Sequence, residues 1–382
     1  MKVVIAPDSF KESLPAAEVA GAIAAGVRAA RGDAVIDACP MADGGEGTVA
    51  AMVAATGGEV LSARVSGPLG EPVEAAFGLL GAAAGTSHAA AVIEMAAASG
   101  LGLVPGERRD PLRTTTYGTG ELIVAALDAG ASEILIGIGG SATVDGGCGC
   151  AQAVGVVFRD ATGGPCVCGL AGGGLASIDD IDVSRRDARI PAARIRVACD
   201  VTNPLTGPTG AAAVYGPQKG ATEEMVRQLD ANLAHLADVI RRRLGIDVEP
   251  LAGAGAAGGL GAGLVAFLGA ELQRGVEIVA DAVALRRRLV GADLCITGEG
   301  RLDAQSLSGK TAVGVARIAA EMSVPAICIP GQVERGLDDG GLFVAVHPLV
   351  DGHVTAADAM ARPAELLAER SAVAVGAFLA GT

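Results

Sequence analysis

The stretch Ala292–Thr311, ADLCITGEGRLDAQSLSGKT, decides how the chain is read. Leu294, Cys295 and Ile296 form a short apolar run of buried-strand type, which turns abruptly into Gly298, Glu299, Gly300, Arg301, Asp303, Gln305 and Ser308. Polar groups at that density are costly in a core unless paired, so they belong at the end of a strand, where a site can form. The ending GKT suggests a phosphate loop, but G-x-x-x-x-G-K-[ST] requires glycine at 304, where this chain has Ala304. Lys310 and Thr311 are read instead as the first turn of a helix over about 309–321.

Outward from this stretch, the two chain ends carry the same texture. Strand patterns at 3–6 and 34–39 alternate with helices at 16–30 and up to about 56. Further strands follow at 293–297, 325–330 and 343–347, with a closing helix near 364–379. These strands read as one parallel sheet interrupted after its second member. A doubly wound order 2-1-3-4-5 sets the first strand beside 293–297 and opens a crevice at their carboxyl ends. Asp8, Ser9 and Lys11 line one side of that crevice, and Glu299, Arg301 and Asp303 the other.

The middle differs. Val60–Val65 and Val73–Leu80 flank the turn Gly67-Pro68-Leu69-Gly70 as a hairpin. Strands near 91–94, 133–138, 154–158 and 195–200 and helices near 118–129 and 222–244 follow. The expected division is 1–62 with 290–382 as one discontinuous α/β domain and 63–289 as an inserted α/β domain, with the active site between them.

Hydrophobic residues make up 51% of the 382, enough to fill two cores. The opening KVVIAP lacks a secretory pattern and no long apolar run is free of charges, so a cytoplasmic protein without a membrane partner is expected. A net charge of −14 disfavours a nucleic-acid partner. Only four of the 29 basic residues are lysines, and Lys11, Lys219 and Lys310 fall inside polar glycine-rich motifs. A lysine surviving such a bias marks a place where arginine's planar fork does not fit. Cys148/Cys150 and Cys166/Cys168 form C-x-C pairs that lack the usual zinc spacing and read as small buried residues.

Gly139-Gly140-Ser141-Ala142-Thr143-Val144-Asp145 follows a strand and precedes a helix, an arrangement that can cradle an anion or simply make a tight turn. Gly253-Ala254-Gly255-Ala256-Ala257-Gly258 matches G-x-G-x-x-G without a surrounding βαβ unit, so a phosphate-contacting or packing turn is the better reading. Asp200 and Asn203 follow a buried strand, and Lys219 precedes the helix at 222. His88, His235, His347 and His353 form no zinc motif, and no G-x-S-x-G elbow occurs. Carboxylates, a few lysines and glycine-rich turns across two domains suit phosphoryl transfer.

Together the motifs VIAPDSFKES, ADGGEGT, GGSATVDGG, CDVTNPLTG, GPQKGA, GAGAAGGLG and ITGEGRLDAQSLSGKT resemble the glycerate kinase type 1 family, in order and over nearly the whole chain. The resemblance implies a flavodoxin-like domain built from both chain ends, a second α/β domain inserted into it, and ATP-dependent phosphorylation of glycerate to 2-phosphoglycerate. One departure is Glu12, where the family more often has glycine.

The residues themselves suggest the roles. Ser9, Lys11 and Arg301 suit the substrate carboxylate, with Asn203 nearby. Asp8 or Asp200 takes the proton of the acceptor hydroxyl, with Lys11 beside it. Asp43, Asp145, Glu299 and Asp303 suit Mg²⁺. Gly139, Gly140, Ser141, Lys219, Gly255 and Lys310 suit the phosphates of ATP. Two alternatives remain: a kinase for another small sugar acid, and a two-domain metabolite-binding regulator without catalysis.

Overall fold

The computed structural model describes residues 1–81, 89–307 and 309–381; His88 and Ser308 lie outside the described residues. The first sheet has five parallel strands in the order 345–346, 326–328, 294–297, 2–5, 35–38. This is the 2-1-3-4-5 order expected from the sequence, with Val3 opposite Leu294 and Ile5 opposite Ile296. The apolar runs are needed because both faces are covered: Ile5, Cys295, Ile296 and Cys328 are all buried.

One face packs under Ala16–Ala30 and the long closing helix Pro363–Gly381. Gly26 permits this contact, since a Cβ there would fall 2.1 Å from the Ala368 carbonyl oxygen. The other face takes the helices Thr48–Thr56 and Thr311–Glu321. It also takes the side chains of Gly275–Ala282 and Leu285–Leu289. The expected junction at 289/290 therefore follows helices that already share the first sheet's core, and the one at 62/63 falls inside the strand Glu59–Ser66.

The second sheet has six strands in the order 271–273, 194–198, 133–137, 90–94, 72–79, 59–66. The first four are parallel and the last two form the expected antiparallel hairpin. The strand expected at 154–158 is shorter, Val157–Arg159, and pairs with Asp180–Asp182 in a separate two-stranded ribbon. Glu223–Leu244 is capped as expected by Thr222, whose hydroxyl accepts from the Met225 amide at 3.3 Å, and it ends at the left-handed Gly245.

The loop after strand 35–38 locks the two sheets together. A Cβ on Gly44 would fall 2.3 Å from that of Ala198, and one on Gly137 would fall 2.2 Å from the Gly44 carbonyl oxygen. Only glycine lets this loop enter the carboxyl ends of the second sheet. Among the described residues no helix is long and apolar enough to cross a membrane.

Candidate active site

Two cavities meet where the carboxyl ends of the sheets face each other. The smaller, about 380 Å³, is lined by Asp8, Ser9, Glu299, Arg301, Asp303 and Lys310. The larger, about 830 Å³, is lined by Gly139, Gly140, Ser141, Asp200, Tyr215 and Lys219. Lys11 and Asp43 line both.

In the smaller cavity Asp8 is held on both oxygens. Oδ1 accepts from the Ser9 amide at 2.6 Å and Oδ2 from the Thr311 hydroxyl at 2.5 Å. Burial, reinforced by the Asp43 charge, nevertheless raises the Asp8 carboxyl to about 6. Glu299 is pushed up to about 7 by burial, with Asp8 adding to the rise and Ser306 and Lys310 opposing it. Its Oε1 is buried with no hydrogen-bond partner among the described residues, which leaves an unsatisfied acceptor in the cavity wall.

Asp200 faces the larger cavity. Its Oδ1 accepts from the Gly275 amide at 2.9 Å. Although this side chain reaches solvent, the cleft walls displace enough water to raise its carboxyl to about 6, while Arg274 and Lys310 oppose the rise. The Gly275 contact leaves no room for a side chain, since a Cβ there would fall 1.8 Å from the Asp43 carbonyl oxygen. Asp43 thus stands between Asp8 and Asp200 and raises both.

Lys219 is 1% exposed at the base of the larger cavity. Its ammonium donates to Ser141 Oγ at 2.7 Å and to the Thr143 carbonyl at 2.6 Å. Burial lowers it to about 7, with Asp145 opposing. The Gly139–Ser141 turn does line this cavity, but the expected helix N-terminus is already occupied. The helix there is only Cys148–Ala153, and its amides at Gly147 and Gly149 donate to Asp145 at 3.1 and 3.4 Å.

Three sequence-assigned residues do not reach either cavity. Asp145 is fully buried, and Thr116 donates to it from both amide and hydroxyl at 2.7 Å, so its carboxylate caps a helix and ties two loops. Asn203 accepts from the Tyr215 hydroxyl at 2.7 Å and donates to the Thr209 carbonyl, bracing its loop. Gly255 packs on Pro204, where a Cβ would fall 2.2 Å from the carbonyl oxygen. The turn after it, Ala257 to Gly259, is left-handed throughout, and Ala257 with φ 54° borders the larger cavity. Thr311, Arg274 and Tyr215 complete the site without having been expected. Among the described residues no group of three or more His, Cys, Asp or Glu could by itself hold a metal ion, the C-x-C cysteines included.

Comparisons with known proteins identify the family. The model of the glycerate kinase family matches residues 3–379. Glycerate 2-kinase of Escherichia coli (strain K12) is 54% identical over 90% of this chain and 87% of its own. Glycerate kinase of Bacillus subtilis (strain 168) is 50% identical over 99% and 98%. A crystal structure from Salmonella typhimurium LT2, assigned as a glycerate kinase 2, superposes with a TM-score of 0.90 at 51% identity, covering 100% of this chain and 99% of that one. The chain belongs to the glycerate kinase family and is a phosphotransferase of that family.

Proposed function

We infer that the protein phosphorylates D-glycerate with ATP, giving 2-phosphoglycerate, and that the two cavities divide the substrates. The observation that carries this is the sharing of Asp43 and Lys11 by the two cavities, which gives phosphoryl transfer a common wall. Glycerate takes the smaller cavity, its carboxylate met by Ser9, Lys11 and Arg301, with a hydroxyl toward Asp8. Nucleotide phosphates take the larger, against the Gly139–Ser141 turn and Lys219, with Lys310 reaching the transferred group from the far side. The relative named Glycerate 2-kinase supports the 2-phosphate product.

Asp8 receives the hydroxyl proton. Its raised pKa leaves it ionised at neutral pH yet basic enough to share a proton as the new bond forms. Lys11 and Lys310 offset charge gathering on the transferred oxygens. The orphaned Glu299 Oε1, with Asp43 and Asp303 on the same wall, fits Mg²⁺ that arrives with most of its ligands already supplied by nucleotide and water. When bound, that ion would neutralise phosphate charge and orient it.

A coupled assay of ADP release across a panel of small hydroxy acids tests this reading, with phosphorus NMR of the product. Glycerate should be preferred and the phosphate should sit on its second carbon. Preference for another acid would overturn the substrate, and metabolite binding without ATP consumption would leave a regulator instead.

A further inference from the structure

A third cavity, about 440 Å³, opens on the inserted domain away from the catalytic walls. Its lining includes Arg108, Arg109 and Arg113, which is unusual in a chain of net charge −14. Arg108 is tied to Glu71 at 2.8 Å. Arg109 and Arg113 make no side-chain hydrogen bond or ion pair to any described residue, and Arg109 Nε is buried without a partner. The acids in the same wall do not answer them: Asp110 is turned to the Leu112 amide at 3.0 Å, and Glu107 is exposed.

The half-buried Arg109 guanidinium holds an orphaned donor, and the exposed Arg113 adds a second unpaired cation around the same concavity, so the pair asks for an anionic partner. Planar forks four residues apart suit the several oxygens of a phosphate. The position also matters. Gly220 is left-handed, with φ 95°, and a Cβ there would fall 2.4 Å from the Arg109 carbonyl oxygen. Its neighbour Lys219 reaches through to Ser141 in the larger catalytic cavity.

We propose that Arg109 and Arg113 form an accessory site for a small dianion carrying a phosphate group, an effector position on the back of the turn that presents Lys219. Movement of Arg109 onto an anion shifts the backbone against Gly220, and Lys219 follows.

Titration calorimetry on the full chain, with inorganic phosphate and with sulfate as probes, tests the site. Binding should weaken at least tenfold in Arg109→Met/Arg113→Met, and also in Met225→Glu, which sets a carboxylate in the same wall at a half-buried position and guards against a folding failure of the first variant. Binding retained in both, or lost only in Lys219→Met, would place the anion in the catalytic cleft and overturn the proposal. The effector role rests on the ATP-dependent reaction proposed above: saturating sulfate should change the KM for ATP at least twofold in the unsubstituted protein and not in the double variant. Binding without that change would overturn the effector role, whereas absence of ATP turnover altogether would overturn the kinase reading and leave the binding result standing.

Discussion

The hydroxyl of Thr311 donates to Asp8 Oδ2 across 303 residues of sequence. It joins the first turn of one helix to the loop after the first strand, and it opposes the rise that burial and Asp43 impose on Asp8. Thr311→Val removes that opposition. The acid limb of the kcat/KM profile, expected near pH 6 if Asp8 sets it, should move to higher pH by about half a unit to one unit, with activity at pH 8 largely kept. An unmoved limb would mean that Asp8 does not set it.

Glu299 links function to stability with a definite sign. Its carboxyl rises from 4.5 to about 7 in the folded chain, so its favourable contribution is complete below pH 4.5 and is lost as pH rises through 7. Glu299→Gln should therefore be more stable at pH 8 by up to ~3 kcal/mol, with the gain vanishing near pH 4.5, while turnover falls. Denaturant melts at the two pH values measure it.

Lys219 and Lys11 separate two kinds of lysine. Lys219 is enclosed, with Ser141 and Thr143 fixing its ammonium, whereas Lys11 is exposed. Lys219→Arg cannot place a fork in that space and should cost about 100-fold or more in kcat/KM, while Lys11→Arg should cost less than about tenfold. Steady-state kinetics on both variants decide this.

Glu12 occupies a left-handed position, φ 62°, in the tight turn between Phe10 and Leu14. A side chain there is strained, which gives a physical basis for the glycine more common at this place in the family that the sequence resembles. Glu12→Gly should raise stability by about 0.5–1 kcal/mol. It should also lower the KM for glycerate, because the carboxylate borders the smaller cavity.

Much of this was legible in the sequence because strand order follows from apolar runs and the rule for doubly wound sheets. The crevice between Asp8–Lys11 and Glu299–Asp303 followed from that order alone. Asp145 was not legible: its spacing from the glycines suggests a metal ligand, and only the fold shows Thr116, Gly147 and Gly149 consuming its oxygens. Asn203 was likewise taken up by Tyr215, twelve residues on. Arg274 carries no local motif, and Thr311 lies in the GKT ending that reads only as a helix start; their importance comes from partners hundreds of residues away or on another strand's loop. The domain junctions were hard to place because the helices at 275–289 lie after the second sheet in sequence and under the first sheet in space.

Asp8 is the proposed acceptor of the glycerate hydroxyl proton in the smaller cavity. Single-turnover phosphorylation of glycerate by Asp8→Asn, with ATP binding measured on the same protein, tests it most directly. The chemical step should slow by about 10²–10⁴-fold, with ATP affinity and thermal midpoint retained. Turnover at the unsubstituted rate would contradict it.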